Sequence, residues 1–443
     1  MVPWMFLAVS LWGSVFTLSA LLRPRLGPVL VPYFLAGWLT SELALLHIVW
    51  QAAATVGFVA FGALDAWPGV LGMGITLASW AGLVVVQKRA HEAREIFGRV
   101  LGEQIDAEYA RPAAPASLAR IFRPFAFRLP GVDRVRDISY GPAGKRNLLD
   151  VYHPSSRLEG RPVLLQVHGG AWTVGQKDQQ GLPLMTHLAS KGWVCVACNY
   201  RLSPRATFPD HLIDVKRALA WVREHVAEYG GDPDFIVVTG GSAGGHLAAM
   251  MALTENDPQY QPGFEDVDTS LGACVPFYGV YDFLDRNGVR GANAMAPFLE
   301  RFVMKSSPEA ERERWEAASP LSRIHPDAPP FFVIHGTHDS LVYVEEARVF
   351  VDNLRQVSKN TVLYAELPGT QHAFEIFHSE RSQQAVGAVT AFLEAVRDGT
   401  LAQKPSGSKS GKEEAYSPEA ARLGSTDSSS VLGAAAASSS KEA

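Results

Sequence analysis

The chain predicts an α/β domain with a doubly wound, mostly parallel sheet, preceded by an N-terminal α-helical transmembrane region. Three observations predict it. Apolar strand-like runs alternate with helical patterns through the middle of the chain, one of those runs feeds a helix through the glycine-rich turn VTGGSAGGHLAAM, and the first ninety residues carry almost no charge. At 443 residues there is room for more than one region and for a large buried core.

The order of elements supports the α/β assignment. PVLLQVHG, WVCVACNYR, FIVVTGG, LGACVPFYG, FFVIHGTHD and TVLYAELPG are apolar on both faces and are separated by amphipathic segments such as DHLIDVKRALAWVREHVAEYG. Strands buried on both faces imply a parallel sheet covered by helices on each side. DISYG and NLLDVYHP, which precede them, read as an antiparallel hairpin at the sheet edge. This domain is expected over residues 132–398, with its ligand site at the carboxyl ends of the strands.

The N-terminal region, residues 1–90, reads as about three membrane helices. Val2 to Leu22 is long enough to cross a bilayer and lacks the basic residues that open a signal peptide. A second span is expected mainly between Leu43 and Leu64, with Val29 to Thr40 interfacial or re-entrant, and a third from Gly69 to Val86, ended by QKRAHEAR. Three spans put Arg23 and Arg25 on the same side as Lys88, Arg89 and Arg94, which makes that side, and the α/β domain, cytoplasmic. Glu42 and His47 are expected near an interface. Residues 91–131 read as a polar, partly helical connector. Residues 399–443, rich in Ser, Ala, Gly and Lys without apolar periodicity, are expected to be disordered.

Composition excludes some functions. A net charge of -5 with dispersed basic residues offers no field for nucleic acid. Cys195, Cys198 and Cys274 form no disulfide framework and read as small buried thiols.

The chemistry is expected at the glycine-rich turn. A phosphate loop would need Lys and then Ser or Thr after the last glycine, where this chain has His246 and Leu247, and the dinucleotide pattern fails at Ser242. G-x-S-x-G fits, from Gly240 to Gly244, with a strand before it and a helix after it. Ser242 is then a nucleophile on a strained elbow, and it needs a base and an acid later in the chain. Asp339 follows the strand FFVIHGTH and His372 follows TVLYAELPGTQ, both on the same rim as Ser242. His372 would take and return the Ser242 proton, and Asp339 would fix the imidazole tautomer. Asp282 is the alternative acid; His335 and His338 stand too close to Asp339 in the chain to face it across the cleft. The HGGAW turn, His168 to Trp172, ends another strand, and the amides of Gly169 and Gly170 are expected to join that of Ala243 in an oxyanion hole.

HGGAW, NYRLSP, GGSAGGH, HGTHDSLV and LPGTQHAF together resemble the α/β-hydrolases of the hormone-sensitive lipase and carboxylesterase group. The resemblance covers residues 132–398 and implies the α/β-hydrolase fold, a serine esterase without cofactor or metal, and the same triad of Ser242, Asp339 and His372. YGGDPDFIVVTGGSAGGH is also similar to the isoprenylcysteine methylesterase branch, whose members are membrane-bound. Two positions depart from the group: HGGG reads HGGA at Ala171, and GDSAGG reads GGSAGG at Gly241. Ala171 with Trp172 is expected to narrow the alcohol side of the site. Residues 281–319, without a strand pattern, lie where such folds carry a lid, and core packing explains them equally well. The expected substrate is a small-molecule or lipid ester presented at a membrane. The alternatives are a prenylcysteine methylesterase-like hydrolase and a non-catalytic ligand receptor on the same fold.

Overall fold

The computed structural model describes residues 1–23, 30–106, 115–156, 158–290 and 295–401. The expected disordered tail, apart from its first residues, lies outside them. Residues Met1–Gln403 form one compact unit.

Eight strands build one sheet in the order β1-β2-β4-β3-β5-β6-β7-β8. These are β1 (Val132–Ser139), β2 (Leu148–Pro154), β3 (Arg161–Val167), β4 (Val194–Cys198), β5 (Gly231–Gly241), β6 (Ala273–Phe277), β7 (Phe331–Gly336) and β8 (Val362–Leu367). The edge hairpin of β1 and β2 is antiparallel, as is the β2–β4 pairing, and every pairing from β4 through β3 to β8 is parallel. Each apolar run in the sequence is one of these strands.

The N-terminal region holds helices α1 (Val2–Leu21), α2 (Leu30–Glu42), α3 (Ala44–Ala60) and α4 (Trp67–Gly102). Those that follow are α5 (Leu118–Ile121), α6 (Leu182–Ser190), α7 (Asp210–His225), α8 (Ala243–Leu253), α9 (Met295–Phe298), α10 (Arg312–Ala317), α11 (Val344–Val357) and α12 (Glu380–Arg397). Residues of α7, α8 and α11 fill the core on one face of the sheet, and those of α6 and α12 fill it on the other. The 281–319 segment resolves toward packing: Leu299, Val303, Met304 and Trp315 are buried in the first core.

The third apolar segment continues as helix beyond its apolar end. QKRAHEAR ends the apolar stretch but not the helix: α4 runs unbroken for 36 residues. Beyond Val86 its buried positions are Ala90, Ala93, Phe97 and Leu101, a helical spacing that lays one stripe on the second core, with Phe97 edge-on to Phe332 at 6.2 Å. The first part of the expected connector, residues 91–102, is therefore helix, in keeping with its partly helical pattern, and part of the sheet's covering layer.

α1 and α4 are long and apolar enough to cross a membrane, and Val31–Glu42 with Ala44–Ala60 meets that test only as a pair bent by 93°. Among these helices the polar residues point inward. Thr17 Oγ1 lies 2.7 Å from Ser79 Oγ, Thr76 Oγ1 donates to Ser10 Oγ at 2.9 Å, and Ser79 Oγ donates to Gln51 Oε1 at 3.1 Å. Trp12, Val15, Leu18, Val56, Val70 and Leu77 are exposed.

Glu42 stands at the α2–α3 bend. Its carboxylate accepts from Arg381 at 3.1 Å and from Ser379 Oγ at 2.8 Å, with Glu42 and Arg381 both fully buried. Glu42→Ala is expected to destabilise the protein by about 3–5 kcal/mol, because it strands a buried guanidinium. A thermal melt reads this as a clear fall in Tm; an unchanged Tm would show that the pair carries no such load.

Candidate active site

β5 delivers Ser242 to its turn. Ser242 has φ 58° and ψ -122°, and α8 starts at the next residue. The turn is tight because α8 presses on the end of β3: a Cβ on Gly244 would fall 2.2 Å from the Val167 carbonyl oxygen. The Ser242 amide donates to the Phe277 carbonyl at 3.0 Å, which fixes the elbow to the end of β6.

The loops after β7 and β8 bring Asp339 and His372 together. His372 Nδ1 lies 2.6 Å from Asp339 Oδ2, and Asp339 Oδ1 accepts from the Leu341 and Val342 amides at 2.9 and 2.8 Å. Gln371 staples the two loops, its Oε1 accepting from the Ser340 and His372 amides, each at 2.8 Å. Burial alone would raise the Asp339 carboxyl, but the His372 charge and hydrogen bonds from His335 and His372 outweigh it and hold the group below the usual carboxylate range. Asp282 serves elsewhere, accepting from the Arg286 amide at 2.7 Å and from Arg286 Nε at 3.1 Å. His335 differs from expectation in one respect: it is not placed as the base, yet its Nε2 reaches Asp339 Oδ2 at 3.2 Å.

Ser242 and His372 flank one side chain, Tyr278. The Tyr278 ring lies 4.4 Å from the His372 ring, and its Oη would be 2.6 Å from a Cβ on Gly241, the residue before the nucleophile. Among the described residues no hydrogen bond joins Ser242 Oγ to His372; such bonds are often long before substrate binds.

The HGGAW loop meets the elbow closely, since a Cβ on Gly169 would lie 3.1 Å from Ser242 Cβ. One expected donor is corrected. The Gly169 amide donates to Gln180 Oε1 at 2.6 Å and is committed there. The chain then curls through Gly170 at φ 112° and Ala171 at φ 51°, and neither amide has an acceptor among the described residues. Gly170 and Ala171 follow Gly169 in the loop that meets the elbow, and Ala243 follows Ser242 in the chain. Trp172 also departs from expectation: it is buried, its Nε1 donates to His246 Nδ1 at 3.2 Å, and its ring meets Phe283 edge-on. It packs the core and does not narrow the site.

Glu375 was not anticipated from the sequence. It is buried, accepts the Tyr278 hydroxyl proton in a short hydrogen bond, and its Oε1 would lie 3.0 Å from a Cβ on Gly241. An aspartate at 241 would compete for this space, so Gly241 and the Tyr278–Glu375 pair explain each other. Burial pushes the Glu375 carboxyl up to about 7. An acid with a raised folded pKa costs nothing below its unfolded value of about 4.3, and its cost grows until the folded pKa is passed. Glu375→Gln is expected to remove that loss, so its Tm relative to the parent should rise between about pH 4.3 and pH 7 and then level off. A constant difference across that window would refute the assignment.

The three cysteines are free and buried, and burial pushes each thiol up, so they behave as small apolar side chains.

Comparisons with known proteins bear on the family and the fold. The BD-FAE family model matches residues 149–354. The chain is 55% identical over 286 residues to a probable carboxylic ester hydrolase, LipM, of Mycobacterium tuberculosis, covering 64% of each chain. It is 41% identical over 375 residues to esterase LipQ of the same organism, covering 81% of this chain and 83% of the relative. Likeness to a probable isoprenylcysteine α-carbonyl methylesterase of Oryza sativa is lower, at 33% over 50% of this chain and 53% of that one. Among solved structures, a thermophilic esterase of Thermogutta terrifontis superposes with a TM-score of 0.50 at 26% identity, covering 64% of this chain and 97% of that one. The chain belongs to the α/β-hydrolase carboxylesterases of the hormone-sensitive lipase type.

Proposed function

We propose that the protein is a membrane-anchored serine carboxylesterase that cleaves a lipophilic carboxylic ester through an acyl-enzyme, with its catalytic domain on the cytoplasmic face. The observation that carries this reading is the 2.6 Å hydrogen bond between His372 and Asp339 on the rim where the elbow presents Ser242. A receptor that had lost its chemistry would have no need to hold an imidazole in this way.

The steps follow from the placement. Ser242 Oγ attacks the ester carbon while His372 Nε2 takes its proton, and Asp339 stabilises the imidazolium. The amides of Gly170, Ala171 and Ala243 receive the developing oxyanion. As the tetrahedral adduct collapses, the alkoxide leaves with the proton from His372. Water then attacks the acyl-serine, His372 again taking the proton, and as the adduct collapses the C–Oγ bond breaks, His372 returns the proton to Ser242 Oγ and the acid departs.

The anchor rests on α1 and α4 and on the inverted distribution of side chains, with hydroxyls inside and tryptophan, leucine and valine outside. That is how helices pack when lipid is the solvent. The test is a fluorophosphonate probe with peptide mapping on membranes that contain the full chain. Labelling is expected at Ser242 alone, accompanied by hydrolysis of a p-nitrophenyl ester; an unlabelled protein with no ester turnover would overturn the reading.

A further inference from the structure

The helix that crosses over the catalytic histidine belongs to the N-terminal region, not to the α/β domain. Along one side of α2, Phe34 meets the His372 ring edge-on at 6.1 Å, and Trp38 Nε1 donates to the carbonyl of Ala373, the next residue, at 2.8 Å. The Trp38 ring lies 5.5 Å from Phe377. One turn further, Ser41 and Glu42 are clasped by Arg381 and Ser379. Contacts on successive turns therefore hold α2 to the 372–381 segment, which carries the catalytic base.

The adjoining side of α2, one row round from Phe34, Trp38 and Glu42, faces away from protein. Val31, Leu35 and Leu39, spaced four residues apart, are exposed by 59%, 53% and 39%. α1 and α4 also expose apolar side chains, among them Trp12, Leu18, Val70 and Leu77, and the 93° bend at Leu43 turns α2 away from the direction of α3. One short helix thus carries, on adjoining rows, the aromatic side chains that meet the His372 imidazole and a lipid-compatible stripe. Because the segment between β6 and β7 packs into the core, α2 supplies the aromatic wall that a lid would otherwise provide.

We infer that α2 is a bilayer-facing wall of the active site, and that the substrate is an amphiphilic lipid ester that reaches Ser242 along this helix from the same bilayer, its acyl chain staying in the lipid. This rests on the esterase reading above and adds the substrate's physical state and route. An ester dissolved in water would gain nothing from a catalytic loop fastened to such a helix, whereas one confined to the membrane meets the enzyme at a high effective concentration.

The experiment reconstitutes the full chain in phosphatidylcholine vesicles. Dioleoylglycerol is placed either in the same vesicles or in separate protein-free ones, oleate release is measured, and water-soluble p-nitrophenyl butyrate serves as a parallel substrate. Rates are normalised to the fraction of enzyme that reacts with a fluorophosphonate. Release from the same vesicles is expected to exceed release from separate ones by about tenfold or more. Leu35→Lys and Leu35→Gln, which put a charge or an amide on the exposed stripe, are expected to lower the ratio of dioleoylglycerol to butyrate turnover, the lysine variant by about tenfold. Equal release from both vesicle sets, butyrate turnover without oleate release, or an unchanged ratio in both variants would overturn the inference while leaving the esterase intact. Loss of butyrate turnover and labelling in the parent protein would overturn the esterase reading and this inference together.

Discussion

Ser242→Ala is expected to lower kcat on a p-nitrophenyl ester by roughly 10⁵- to 10⁶-fold, because the nucleophile is the one group of the site with no substitute. What remains would come from the amides around the oxyanion position and from binding. The change removes a single hydroxyl from a half-buried turn and leaves the backbone bond from Ser242 to Phe277 in place. Tm should therefore stay within a few degrees of the parent while the fluorophosphonate adduct disappears. Activity within tenfold of the parent would mean that another residue attacks the ester.

Asp339→Asn is expected to cost about 10⁴-fold in kcat with little change in KM. The cause lies in how the carboxylate is held. Its Oδ1 accepts from two backbone amides and its Oδ2 from His372 Nδ1. An asparagine that keeps its oxygen on the loop amides turns its NH₂ toward His372 Nδ1, which must then accept; the proton moves to Nε2, and the ring cannot take the serine's. The same variant has a signature in acid. The depressed Asp339 pKa contributes stability that is fully present above the unfolded value of about 3.9 and is lost as pH falls toward the folded one. Thermal melts between neutral pH and about pH 3 should show a steeper loss for the parent than for the variant. Parallel curves would mean that Asp339 is not ion-paired in the folded state.

The sheet was legible because each strand is a short apolar run bounded by turn residues, and the meeting of His372 with Asp339 because both stand just beyond strand ends. What escaped lies in contacts between distant segments. Gln180 captures the Gly169 amide from an irregular loop with no pattern of its own. Glu375 follows His372 so closely that it reads as part of the histidine loop, and its meaning comes only from Tyr278 and from the space left by Gly241. The charged sequence after Val86 hides a stripe of Ala90, Ala93, Phe97 and Leu101, which binary patterning reveals only once the sheet beneath it is known. Glu42, an odd acid in an apolar stretch, found its partner 339 residues away. The re-entrant reading of Val29 to Thr40 was available from length alone, but nothing in the sequence pointed to a catalytic imidazole beneath Phe34.

Ser242 has a thermodynamic position that its chemistry hides. At φ 58° and ψ -122° it occupies backbone space that costs a residue with a side chain about 1–3 kcal/mol and costs glycine little. The position most valuable for turnover is therefore one at which the folded state would gain from losing its side chain. Ser242→Gly is expected to raise the stability of the fold while removing the hydroxyl, so that gain of stability and loss of turnover would come from one and the same atom group.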